Sequence, residues 1–127
     1  MNEIIAVTKD ENGQRPIPSV WRPALVDIVD AFKDADFGLA RGIAGVGAIP
    51  VERAARIAKN IENYGARLTS LPEESWQTSV CQWMLDYWDV LVDLFTVEEG
   101  ASDLVLALRV FEHGEDYIFE VQSVHVP

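Results

Sequence analysis

The chain has 127 residues, 49% hydrophobic and 24% charged, which suits a single domain around one core. Its apolar runs are far shorter than the roughly 20 residues of a membrane-spanning helix, and Met1–Val7 lacks a basic leader, so the expectation is one soluble, cytoplasmic domain. The net charge of −11 is uneven: residues 1–67 carry nine acidic and nine basic side chains, while residues 68–127 carry twelve acidic ones and only Arg109, a field that disfavours nucleic acid and anionic membrane and attracts a basic protein.

Residues 1–18 form an arm or an added edge strand, with Ile4–Val7 as a short strand and a turn at Asp10-Glu11-Asn12-Gly13. Residues 19–65 make a helical half. Ser19 is a candidate cap and Pro23 a candidate first-turn residue, after which Trp21, Leu25, Ile28 and Phe32 fall at helical spacing on one apolar stripe. Asp27, Asp30 and Asp34 fall on the opposite side, as a solvated face. The stretch Phe37–Pro50, with Gly38, Gly42, Gly45 and Gly47, matches no phosphate-binding fingerprint and reads as a connecting loop. A second helix follows from Pro50, with Ala54, Ile57, Ala58, Ile61 and Tyr64 on its apolar side and Gly65 as its stop. Arg53, Arg56 and Lys59 on another face could pair with acidic groups elsewhere.

Residues 76–126 read as an antiparallel sheet. Thr78–Met84 is a strand, or else part of one helix from Pro72 to Leu85, which Pro72, Glu73 and Glu74 would start well. Tyr87–Val97, Asp103–Glu112 and Tyr117–Val126 are rich in Val, Leu and aromatic residues and are separated by Glu98–Ser102 and His113–Glu115, which suit hairpin loops. The expected fold is α+β, with two N-terminal helices on one face of a three- or four-stranded antiparallel meander. Alternation assigns Trp88, Val90, Val92, Leu94, Leu104, Leu106, Leu108, Val110, Tyr117, Phe119 and Val121 to the core. The reverse side receives Asp89, Leu91, Asp93, Phe95, Val105, Ala107, Arg109, Phe111, Ile118, Glu120, Gln122 and Val124, a mixture suited to a binding face or a lined cavity.

Asp89 and Asp93 lie four residues apart on one strand, roughly 13 Å, too far for a paired-carboxylate hydrolase. Asp93, Arg109 and Glu120 could meet across neighbouring strands, as a charge ladder or a functional cluster. His113 and His125 stand alone. No histidine pair, HExxH, paired CxxC or GxSxG is present, so no catalytic residue, metal ligand set or cofactor is assigned. Cys81 reads as a small buried residue. Trp21 and Trp88 read as core anchors, whereas Trp76, Trp83 and His125 are candidates for the rim of a pocket.

Trp21-Arg22-Pro23, Leu71-Pro72-Glu73-Glu74-Ser75-Trp76, Trp88-Asp89-Val90-Leu91-Val92-Asp93-Leu94-Phe95-Thr96 and the ending Ser123-Val124-His125-Val126-Pro127 resemble a family of small, uncharacterised bacterial proteins. That resemblance spans most of the chain from Arg15 onward and implies no activity. Two helices before a curved antiparallel sheet also resemble the cystatin-like or nuclear-transport-factor-like cone fold, which implies a pocket between helix and sheet, although its third helix is not evident. The leading expectation is a non-enzymatic binding protein, such as an immunity-type inhibitor of a basic protein, acting through Asp89, Asp93, Phe95, Arg109, Phe111 and Glu120. The alternatives are a small-molecule pocket or enzyme lined by Asp93, Arg109, Glu120 and His125, and a homodimer that buries the mixed face.

Overall fold

The computed structural model describes residues 4–127 and is α+β, with two helices and, among the described residues, one five-stranded antiparallel sheet. The strands are β1 (Arg15–Pro16), β2 (Val80–Trp83), β3 (Trp88–Thr96), β4 (Gly100–His113) and β5 (Asp116–His125), and they lie side by side in chain order. The sheet therefore has one strand more than the upper expectation. The extra strand is β1, and it stays short because Pro16 lacks the N–H needed to extend a ladder.

Ile4–Val7 is not a strand. Its Ile5 is tied to Ser19 instead, whose Oγ accepts the Ile5 N–H at 2.8 Å and whose own N–H reaches the Ile5 carbonyl at 2.9 Å. Ser19 is thereby occupied and does not cap a helix. A 3-10 turn spans Ser19–Trp21, and helix α1 (Arg22–Lys33) follows directly, with Pro23 in its first turn where a missing N–H costs little.

Helix α1 buries Leu25, Ile28, Val29, Ala31 and Phe32. These join Trp88, Val90, Val92, Leu94, Leu106 and Leu108 in one apolar cluster, in which each fully buried aliphatic side chain contributes about 1.5–3 kcal/mol. Trp21 anchors the cluster. Its ring meets those of Trp88, Tyr117 and Phe119 edge-on, with centroids 5.1, 5.5 and 6.4 Å away. Among the described residues, its Nε1 is buried without a hydrogen-bond partner.

Helix α2 (Val51–Tyr64) follows Pro50, which flanks the helix rather than entering it, and stops at Gly65 with φ 83°, the left-handed conformation expected of a glycine stop. The helix is tied to β5: Arg53 Nη1 donates to the Val121 carbonyl at 3.1 Å and Asn60 Nδ2 to the Val124 carbonyl at 2.9 Å. Among the described residues, Arg53 does not make the expected pair with a carboxylate. β5 is the sheet's edge, so its outward carbonyls need donors, and this guanidinium supplies one. The loop before α2 covers more of the same edge, with Phe119 N–H donating to the Gly45 carbonyl at 2.8 Å and Gly47 N–H to the Phe119 carbonyl at 3.1 Å. Position 45 requires glycine, because φ is 77° and a Cβ would stand 3.0 Å from the Tyr117 carbonyl oxygen.

The segment Pro72–Leu85 combines the two alternatives, with a 3-10 helix over Glu73–Gln77 and then strand β2. β2 pairs with β3 only as far as Val80 opposite Leu91, and two buried serines continue the ladder in its place. Asp93 N–H donates to Ser79 Oγ at 2.9 Å, Ser75 Oγ donates to the Asp93 carbonyl at 2.6 Å, and the two hydroxyls lie 3.1 Å apart. Beyond them, Thr69 N–H takes the Phe95 carbonyl at 3.0 Å.

Two register shifts break the expected alternation. One lies between Asp93 and Phe95 on β3, where Asp93 faces Val105 but Phe95 faces Ala101, and the other lies beside Leu108, where Gln122 is the extra residue on β5. The second returns Val124 to the core side, where it is fully buried. Val105, next to the first, is only 6% exposed. Val124 was expected on the reverse side, and the extra residue is the reason it is not, whereas Val105 remains on that side opposite Asp93 and is buried there.

Candidate interaction face

Strand alternation leaves a second surface on β3, β4 and β5. Asp89, Leu91, Ile118 and Glu120 are exposed, with Leu91 and Ile118 at 38% each, and Asp93, Phe95, Ala107, Arg109, Phe111 and Gln122 are half-buried. Trp88, Val90, Val92 and Leu94, which alternate with them on β3, are buried. Apolar groups on this surface are therefore in contact with water, interspersed with carboxylates.

The register decides which charges meet. Asp89 lies opposite Arg109, and Arg109 lies opposite Glu120, so one row crosses three strands. Asp93 lies opposite Val105. The expected trio of Asp93, Arg109 and Glu120 is thus corrected to Asp89, Arg109 and Glu120, with Asp93 four residues further along β3. The row is not a chain of ion pairs. Arg109 stands over the Tyr87 ring at 4.7 Å, and Tyr87 in turn packs beside Phe111 with centroids 5.6 Å apart. Glu120 accepts from Gln122 Nε2 at 2.8 Å, so the extra residue of β5 also holds a carboxylate of the face. Among the described residues the ion pairs are Lys9–Glu112, Arg15–Asp10, Arg41 with Asp34 and Asp36, and Arg67–Glu98. Asp89 and Asp93 take part in none of them.

Sequence reasoning gave no site role to Tyr87, Ser75 or Ser79, and it placed Gln122 on the face without its bond to Glu120. Tyr87 and Phe111 are both aromatic and flank the Arg109 row, a signal present in the sequence once the hairpin register is known. The serines carry no such signal, since their role depends on where β2 ends.

The pocket candidates are dispersed. Trp76 lines an open cleft of about 950 Å³ with the Arg22 guanidinium 5.2 Å from its ring. His125 lines a separate cleft of about 390 Å³ with Asn60 and Tyr64, and its Nδ1 lies 2.7 Å from Ser123 Oγ. Trp83 packs on Trp88 at 4.4 Å and carries the Lys9 ammonium at 5.0 Å. None of these clefts contains Asp93, Arg109 or Glu120, and Trp21, Trp88, Tyr117 and Phe119 fill the space between the start of α1 and the sheet. Cys81 is buried on β2, and burial pushes its thiol up to about 11, which keeps it protonated and unreactive. Among the described residues, no three His, Cys, Asp or Glu side chains are placed to hold a metal ion, and no helix is long and apolar enough to cross a membrane.

A family model described as a domain of unknown function (DUF7668) matches residues 29–127. That span includes β2–β5, α2 and the end of α1, and it leaves out β1, Trp21 and the first turns of α1. No curated protein and no solved structure matches the chain.

Proposed function

The chain belongs to that family, whose description assigns no activity, and from the geometry we propose a non-enzymatic binding protein that engages a basic protein through the outward side of β3–β5. The observation that carries this reading is the exposure of Leu91, between Asp89 and Asp93 on β3, and of Ile118 on β5, with neither aspartate in an ion pair among the described residues. Burying such aliphatic groups drives association, and unpaired carboxylates around them select a cationic partner and speed its encounter. Both helices are taken to cover the Trp88–Val90–Val92 side, which leaves the opposite side free. An immunity-type inhibitor that masks a basic surface fits this chemistry.

Size limits the proposal. Three strands at about 4.8 Å spacing and roughly 30 Å length present about 400 Å², half of the roughly 800 Å² per partner of a stable complex. The partner must therefore also cover flanking loops, and the acidic Glu98–Glu99 turn and the β4–β5 hairpin are the adjoining ones. The test is affinity capture at low and high salt with the native chain and an Asp89→Lys, Asp93→Lys variant. A basic protein retained at low salt, released at high salt and lost with the variant supports the reading, whereas equal retention by the variant removes this face from it.

A further inference from the structure

A second feature lies at the turn of the β4–β5 hairpin. A cleft of about 660 Å³ opens between the start of α1, the glycine loop and that hairpin, within the range of sites that take small organic ligands. Its walls are apolar, with Pro23, Ala24, Ile43, Tyr117 and Phe119 among them. The ionisable lining groups are Asp27, Asp116 and His113, and no lysine or arginine lines it.

The two carboxylates differ from their neighbours in having nothing to hold. Asp30 accepts from Ser70 Oγ, and Asp34 and Asp36 take Arg41 at 3.1 and 3.0 Å. Among the described residues, Asp27 and Asp116 have no side-chain hydrogen bond and no ion pair. Arg41 lines an adjoining cleft of about 290 Å³ that shares Asp27, Ile43 and Ala44 with the first, but its guanidinium is committed to Asp34 and Asp36. The loop wall is fixed as well, since Gly45 both accepts from Phe119 N–H and approaches the Tyr117 carbonyl too closely for a side chain.

We propose that this cleft binds a small organic cation with an apolar body, its ammonium or guanidinium group at Asp27 and Asp116 and its body against Tyr117 and Phe119. Apolar walls without charge would accept neutral and charged ligands alike, and a carboxylate surface without walls would hold only hydrated ions. The combination selects a cation that also has an apolar surface to bury, with the aromatic faces adding to its attraction. The cleft shares Ile118 and the β4–β5 hairpin with the proposed interface, but its ligand chemistry is read from its own lining and does not require a protein partner.

The test is titration of the full chain with benzylamine hydrochloride, followed through backbone amide resonances, with benzyl alcohol as the neutral analogue of the same shape. Saturable shifts at Gly45, Asp116 and Tyr117 are expected with benzylamine, and binding about fivefold weaker with benzyl alcohol, as exposed charge contacts allow. The Asp27→Asn, Asp116→Asn variant should bring benzylamine down to the level of benzyl alcohol while resonances outside the cleft stay unchanged. Equal binding of the two probes, unchanged benzylamine binding by the variant, or no saturable shift at these residues overturns the proposal.

Discussion

Replacing Ser79 with alanine removes the acceptor for the Asp93 N–H at the point where β2 has ended. Ser79 is 2% exposed and Ser75 is fully buried, so little water can replace the lost hydroxyl, and the bare amide costs about 1–3 kcal/mol. Ser75→Ala removes the donor to the Asp93 carbonyl at 2.6 Å and has a cost in the same range. The two hydroxyls also bond each other at 3.1 Å, so the losses are coupled, and the double variant should lose less than the sum of the singles by at least about 0.5 kcal/mol. Urea unfolding of the four proteins, monitored by tryptophan fluorescence, measures this as midpoint shifts at constant slope. A loss below about 0.5 kcal/mol for Ser79→Ala would show that Asp93 is not held by the serines, and strictly additive losses would show that they do not act as a pair. The result bears on the candidate interface because these bonds fix the backbone of Asp93.

Cys81 gives a pH signature. Its thiol is raised from an ordinary value of 9.0 to about 11 by burial, so the folded state disfavours the thiolate. The stability this represents is fully present below pH 9, declines as the unfolded chain ionises, and is lost as pH rises through 11; Cys81→Ala should flatten that part of the stability profile measured by urea unfolding, and an unchanged slope would contradict the burial. Removing the donors on α2 with Arg53→Ala and Asn60→Ala leaves the Val121 and Val124 carbonyls uncapped on the β5 edge, and each change should cost about 1 kcal/mol in unfolding and increase association seen by light scattering. Gly45→Ala meets both the positive φ and the 3.0 Å approach to Tyr117 and should destabilise by more than about 1 kcal/mol, with loss of amide-exchange protection at Phe119 as the local readout.

Much of the fold is visible in local pattern. Trp88, Val90, Val92 and Leu94 alternate with Asp89, Leu91 and Asp93, and their burial follows that period. Gly65 stops α2 because few other residues adopt its backbone angle readily. What escapes is whatever depends on a partner strand. The alternation of β5 holds through Val121 and then inverts, because Gln122 is extra relative to β4, and nothing in its own sequence marks it. The same limit misplaced the charge row: both aspartates on β3 alternate outward, but only the hairpin register selects Asp89 as the neighbour of Arg109. Arg53 resembles a surface cation until β5 is known to be an edge with carbonyls to cap. Ser75 and Ser79 are similarly plain in sequence, and their value comes from β2 stopping at Val80.

The outward side of β3–β5 is tested most directly by methyl NMR of the labelled chain with the captured basic partner, because Leu91 and Ile118 report on that side and Val51, 86% exposed on α2, reports away from it. The account predicts that the Leu91 and Ile118 methyl resonances shift or broaden on complex formation while those of Val51 remain in place. A complex that perturbs Val51 and leaves Leu91 and Ile118 unchanged would contradict it.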